Sequence, residues 1–323
     1  LIKQHIFATL GTALLGASKR HFFPPLTSRN DGMRLFAITA LLICMTNQSE
    51  GSTDVLKDDL GREWLLKEHP ISIASTFLAG DEILSELVKG SSVRFIASST
   101  LADNSEYSNI VDLAKLIPFR VGSSPEAIAK INPDLIFMAS WNSPSLSNIV
   151  SKLKIKTFTL SSFNSIDDIE RNILLMGKVL HLEDNARRMV VKMQQSMPIV
   201  PHLGKKILTY DPSGVTLGKK TIFDSLISRL GLSNVISEEG WPKTSPEWIA
   251  RSGPDFIVSN GELDQFPTIL ALISKTPGWR ELSPVKNRKI VLIPNRLLTS
   301  ASQYIALTYN ALSSSISKLE KSK

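Results

Sequence analysis

One cysteine, Cys44, in 323 residues excludes an intrachain disulfide and a thiolate metal site. Histidine is also scarce, at five residues, and only His69, His181 and His202 follow the first 51 positions. A receptor for a free transition metal needs convergent His and carboxylate ligands, which three scattered histidines do not supply. No Gly-x-Gly-x-x-Gly follows an apolar run, and no Gly-x-Ser-x-Gly elbow occurs. Gly214-Val-Thr-Leu-Gly218-Lys-Lys-Thr221 imitates a phosphate loop, but three residues separate its glycines where about four are needed for the amides to curl around phosphate. No Lys/Arg block interleaved with aromatics is present, which argues against a nucleic-acid partner. The formal charge of +7 is uneven, because the first 51 residues hold five of the 37 basic residues and two of the 30 acidic ones. The remainder is only mildly basic, as a solvated surface is.

What is there begins with a targeting pattern. Met33-Arg34 precedes the apolar run Leu35 to Met45, and the polar stretch Thr46 to Gly51 follows. A basic start, a short apolar run and a small-residue exit describe a secretory signal. The run falls short of the roughly 20 residues of a membrane span. Met33 then reads as the start, with residues 1–32 upstream of it, and residues 1–51 form a leader and signal peptide. Ser49-Glu50-Gly51 offers the cleavage site. Lipidation at Cys44 is the alternative, although Ile43 is not the small residue such signals favour.

The most informative feature is a repeat. Ser124-Pro-Glu-Ala-Ile-Ala-Lys-Ile-Asn-Pro-Asp-Leu-Ile136 recurs as Ser245-Pro-Glu-Trp-Ile-Ala-Arg-Ser-Gly-Pro-Asp-Phe-Ile257. Each copy reads as a Ser-capped helix with Pro at its first position, a stop, and an apolar strand. Two copies imply two α/β lobes, at 52–163 and 199–323. The first reads as strand 71–75, helix 77–89, strand 93–97, a loop over 98–109, the repeat unit, helix 143–152 and strand 155–159. The second reads as strand 206–210, helix 221–230, the repeat unit, helix 264–273, strand 289–293 and helix 300–318. The alternation predicts mostly parallel sheets covered on both faces.

Between the lobes, residues 164–198 carry apolar positions at helical spacing (Ile166, Ile169, Ile173, Met176, Leu180, Met189, Met193), with acids early and bases late. This predicts a single long α-helix of roughly 45 Å joining two Rossmann-like lobes.

The order of these segments resembles the helical-backbone class of periplasmic binding proteins, the receptors of ABC importers for cobalamin, ferric siderophores and haem. The resemblance covers about residues 68–320. It rests on Ile71 to Leu84, on Arg120-Val-Gly-Ser-Ser-Pro-Glu-Ala-Ile-Ala with Asn132-Pro-Asp-Leu-Ile, and on Trp241-Pro-Lys-Thr-Ser-Pro-Glu-Trp-Ile-Ala. It implies a non-enzymatic, monomeric, periplasmic or exported receptor with no resident cofactor, whose ligand carries iron or cobalt. It also implies that Glu126 and Glu247 dock on arginines of an ABC permease. Both carboxylates fall at the second position of a helix, where the dipole favours them, so simple helix capping is the competing reading.

Ligands of open α/β lobes bind beyond the carboxyl ends of the strands. The candidates there are Ser75, Thr76, Tyr107 and Trp141 in the first lobe, and Tyr210, Gly218, Trp241 and Arg296 in the second. Flat rings suit conjugated macrocycles or aryl chelates, and Arg296 suits an anionic group. Phe77 and Trp279 read as core. Haem receptors of the resembled class often carry a tyrosine just before the first-lobe signature, and Pro118-Phe-Arg-Val-Gly122 has none, leaving Tyr107 or Tyr210 as iron ligands. An iron chelate or a corrinoid remains the expected ligand. A sensor or adhesion module on the same fold, and a nucleotide-dependent enzyme, are the alternatives.

Overall fold

The computed structural model describes residues 55–321, apart from 123, 212–214 and 244. The leader expected from sequence, with Cys44 and the expected cleavage site, lies outside them. Among the described residues no helix is long and apolar enough to cross a membrane.

A small antiparallel hairpin, β1 (Val55–Lys57) and β2 (Glu63–Leu65), opens the described chain. The first lobe follows with β3 (Ser72–Ser75), α1 (Leu78–Leu87), β4 (Arg94–Ser99), α2 (Val111–Ala114) and β5 (Phe119–Val121). It continues with α3 (Pro125–Ile131), β6 (Leu135–Ala139), α4 (Pro144–Lys152) and β7 (Thr157–Leu160). Its five strands are all parallel, in the order β5-β4-β3-β6-β7. The chain winds outward from β3 on one side, then returns to lay β6 on the other. The second lobe repeats this with β8 (Lys206–Tyr210), α7 (Ile222–Arg229), β9 (Ser233–Asn234), α8 (Pro246–Ser252), β10 (Phe256–Asn260), α9 (Phe266–Lys275), α10 (Ser283–Lys286) and β11 (Ile290–Ile293). Its parallel order is β11-β10-β8-β9. After β11 come α11 (Asn295–Leu298) and the long C-terminal helix α12 (Ile305–Lys321). Each sheet therefore reverses its winding beside its first strand, between β3 and β6 and between β8 and β10.

The internal repeat is geometric as well as sequential. Ser124 and Ser245 accept from the backbone N–H of Ala127 and Trp248, at 3.3 and 3.2 Å, and so cap α3 and α8. Both helices stop on a left-handed residue, Asn132 at φ 42° and Gly253 at φ 62°. The Pro-Asp that follows does one job twice. The Asp134 carboxylate accepts from Ser72 N at 2.8 Å, and that of Asp255 accepts from Lys206 N at 2.8 Å. Each aspartate thereby sets the register of its strand against the lobe's first strand.

The connector corrects the expectation of one long helix. It is two helices, α5 (Ile166–Val179) and α6 (Glu183–Gln195), folded back on each other. His181 takes φ 56°, and Leu182 N donates to Gly177 O at 2.7 Å, a six-to-one bond that ends the helix. Glu183 and Asp184 then begin a new first turn. The fold-back is tight because Gly177 has no side chain: a Cβ there would meet Ala186 Cβ at 2.4 Å. The first helix ties to the second lobe through Ile166 N and Ser225 Oγ, at 3.1 Å. The second helix ties to the first lobe through Asn185 Nδ2 and Leu87 O, at 2.8 Å. A single apolar core runs from Ile73, Phe137 and Phe158 through Ile173 and Met193 to Phe256 and Tyr309.

Gly177→Ala tests this packing. Helix propensity alone would stabilise the variant by about 1 kcal/mol, but overpacking the hairpin should cost about 1–3 kcal/mol. Urea denaturation should show a lower midpoint, and a raised midpoint would contradict the close approach.

Candidate functional site

The winding reversals place the ends of β3 and β6, and of β8 and β10, where open α/β sheets take ligands. In the second lobe this point opens into a cleft of about 440 Å³. Tyr210 and Asn260 contribute from the ends of β8 and β10, Asn295 from just after β11, and Trp241 from the loop ahead of α8. Phe163, just past β7, closes it from the first lobe. Phe163 meets Trp141 edge-on at 4.8 Å between ring centroids and Phe77 at 5.6 Å, so a ring cluster links the first lobe's reversal point to the cleft. Trp141 and Trp241 are 59% and 67% exposed, a large apolar area for a soluble surface.

Of the residues singled out from sequence, Tyr210 and Trp241 line the cleft and Trp141 borders it through Phe163. Tyr210 stacks edge-on against buried Trp279 at 5.2 Å. Thr76 donates to Asn142 Oδ1 at 2.7 Å, and the same oxygen accepts from Ala139 N at 2.7 Å, which fixes the backbone beneath Trp141. Ser75 is fully buried, with its hydroxyl donating to Phe77 O at 3.0 Å, so it supports the reversal point from below. Gly218 is required by backbone packing, since a Cβ would lie 2.1 Å from Glu238 O. Tyr107 sits in the 104–109 loop, half-buried and outside the cleft lining. Arg296 pairs with Glu262 at 3.2 Å, and its carbonyl accepts from Asn109 Nδ2 at 2.9 Å. Glu126 and Glu247 are both exposed at the starts of the equivalent helices α3 and α8. Ser124 Oγ donates to Glu126 at 2.6 Å, and chiefly for that reason this carboxyl titrates below its ordinary value.

Sequence reasoning missed Phe163, which follows a strand as an isolated aromatic with no pattern around it. It also missed two buried carboxylates, Asp81 and Glu82, on α1. Asp81 accepts from the Ser99 backbone N–H at 3.1 Å and from its hydroxyl. Glu82 accepts from Asn109 Nδ2 at 2.9 Å and from Ser302 Oγ at 2.5 Å, while its carbonyl accepts from Gln303 Nε2 at 2.7 Å. Glu82 thus fastens the first lobe to the segment leading into α12. The only advance sign was a pair of adjacent acids, Asp81 and Glu82, between apolar residues of the helix.

His69 and His181 stack at 4.2 Å beside an open depression of about 430 Å³ at the amino ends of the first-lobe strands, away from the reversal points. Among the described residues no group of three His, Cys, Asp or Glu could hold a metal ion.

Residues 73–297 match the family model of the periplasmic binding proteins. The chain belongs to that family, a family of solute receptors found in the periplasm or exported. Solved structures agree. A possible iron-binding, periplasmic solute-binding protein of Staphylococcus epidermidis aligns with a TM-score of 0.65 at 21% identity, over 77% of this chain and 99% of that one. A periplasmic heme-binding protein of Pseudomonas aeruginosa aligns at 0.59 and 18%, over 76% and 92%. An ABC transporter substrate-binding protein of Listeria monocytogenes aligns at 0.60 and 17%, over 77% and 98%. At these identities the likeness is one of fold. No curated protein sequence matches the chain.

Burial pushes the Asp81 carboxyl up to about 8, against the hydrogen bonds from Ser99, and nearby Glu82 adds to the rise. The folded protein then holds a proton that the unfolded chain releases near its ordinary value of 3.8. Stability should therefore fall as pH rises between those two values, by at most about 1.4 kcal/mol per pH unit. Thermal melts across pH 5–8 should show this slope, and Asp81→Asn should flatten it. A wild-type melting temperature independent of pH in that range would refute the assignment.

Proposed function

We propose that this protein is the substrate-binding component of an ABC importer, taking an iron chelate, haem or a corrinoid into the cleft between its lobes and delivering it to a membrane permease. The observation that carries the reading is the cleft itself. It lies at the second lobe's winding reversal, is walled by apolar side chains and Trp241, and is closed by the Phe163–Trp141 ring pair. A large conjugated or amphipathic ligand fits such walls better than a small polar one. The similar proteins, one possibly iron-binding, one heme-binding and one an ABC transporter substrate-binding protein, point the same way.

In this reading the protein is a monomeric, passive receptor that performs no covalent chemistry. It is exported by the leader over residues 1–51, by cleavage near Ser49 or by lipid anchoring at Cys44. Glu126 and Glu247 are the docking posts, one on each lobe. Equivalent, exposed carboxylates on duplicated helices support that role, because two separated charges fix both register and approach to a basic partner. The shared hairpin keeps the two posts at a nearly constant spacing, so the ligand is held with modest lobe movement.

Tryptophan fluorescence tests the cleft. Cobalamin, hemin and ferric siderophores absorb where tryptophan emits, so the cognate ligand should quench Trp241 saturably at submicromolar concentration, and Trp241→Phe should remove most of that signal. No saturable quenching by any of them would refute the reading. Reversing both charges, Glu126→Lys with Glu247→Lys, should abolish uptake in cells while leaving ligand affinity within about twofold. Uptake that survives would refute the docking posts.

A further inference from the structure

The cleft is poor in positive charge, and that restricts what it can hold. Among the described residues lining it there is no Lys, Arg or His. Its one charged side chain is a carboxylate, Asp211, which has an interaction partner of its own. The walls are otherwise apolar or neutral, from Leu217, Phe223, Val258 and Leu298 to Asn260 and Asn295.

Of the cations next to the lining in sequence, all but Lys243 are paired with carboxylates. Arg296 is paired with Glu262 at 3.2 Å. Asn295, which does line the cleft, donates to Glu106 at 3.2 Å, so a second carboxylate stands at the same rim. Lys219 is paired with Asp224 at 3.1 Å, and Lys220 with Glu239 at 2.5 Å. Arg120, in the first lobe, grips both oxygens of Asp103 at 2.6 Å and donates to three backbone carbonyls. Lys243, opposite Val215 in a two-residue bridge, is exposed, where solvent and salt screen it.

A multiply charged anion entering this cleft would lose its hydration and gain no counter-charge in return. An uncharged or cationic ligand loses less, and the acidic rim attracts it. We therefore propose, on the receptor reading above, that the cleft selects uncharged or cationic chelates, of which neutral or monocationic ferric tris-hydroxamates are the type, and rejects polyanions such as ferric tris-catecholates and the dipropionate haem. Specificity here comes from missing charge as much as from fitted walls.

The test is a charge series titrated into the purified protein, followed by tryptophan quenching. The probes are a cationic ferric tris-hydroxamate, a neutral one, a trianionic ferric tris-catecholate and hemin. Saturable binding of a tris-hydroxamate, with the trianion and hemin at least about 100-fold weaker, is the expected result. Thr299→Lys, at the exposed edge of the cleft, should raise trianion affinity about tenfold relative to that of the neutral chelate. Binding of the trianion or hemin as tightly as the hydroxamates overturns the selectivity but leaves the receptor reading standing. A Thr299→Lys variant that folds and gains nothing for the trianion also counts against the selectivity. Quenching by none of the four overturns this inference, and if cobalamin also fails to quench, the receptor reading falls with it.

Discussion

The apolar core that begins beneath the first-lobe sheet continues past the edge of that lobe. It passes through the two connector helices and emerges under the second sheet, so Phe137, Ile173, Met193 and Phe256 belong to one packed body. Everything at the site depends on this. Two α/β lobes on a flexible tether would sample many separations, and a cleft between them would have no fixed width. Here each helix of the hairpin is bonded to a different lobe, and Gly177 lets the two helices approach closely enough to behave as one block. Close packing makes such a block stiff. Arg229 Nε and Tyr309 OH, donating to the carbonyls of Met197 and Pro198, secure its exit into the second lobe.

Within that frame the two lobes use one local grammar. A Ser-Pro-Glu start, a left-handed stop, and a Pro-Asp whose carboxylate anchors the first strand occur in both. Because the same unit lies next to the winding reversal in both lobes, the two lobes have comparable open ends. The ends differ in how they are filled. The first lobe's end is tied up internally by Thr76, Asn142 and the Phe77–Trp141–Phe163 rings, while the second lobe's end holds the open volume.

Much of this was readable in the chain. Strands and helices on either side of the repeat fall within a few residues of their expected places, because apolar runs, Ser caps and Pro positions are local signals. Short elements such as β1, β2, β5 and β9 were not readable, since two or three residues carry no periodicity. The connector misled because its apolar spacing persists through the bend. What breaks the rod is His181 in the left-handed region, followed by a second acidic turn at Glu183 and Asp184, which a 3.6-residue count does not weigh. At the site, Tyr210 and Trp241 were found by a rule about strand ends. Arg296 was credited with a free charge because its partner, Glu262, is 34 positions away in sequence. Phe163 and the buried Asp81 and Glu82 depend on tertiary neighbours and leave almost no local trace.

One of those unforeseen contacts bears on how the chain comes to be folded. Glu82 receives its bond from Ser302 across 220 positions, and Gln303 reaches its carbonyl across 221. The buried carboxylate of the first lobe therefore waits for donors made near the end of synthesis, and the common core waits for Tyr309 and Leu312 of the last helix. Contacts so distant in sequence close late and slowly. A nascent chain of this design cannot complete its core until almost all of it exists, and an incompletely packed chain is the form that can be threaded through a narrow pore.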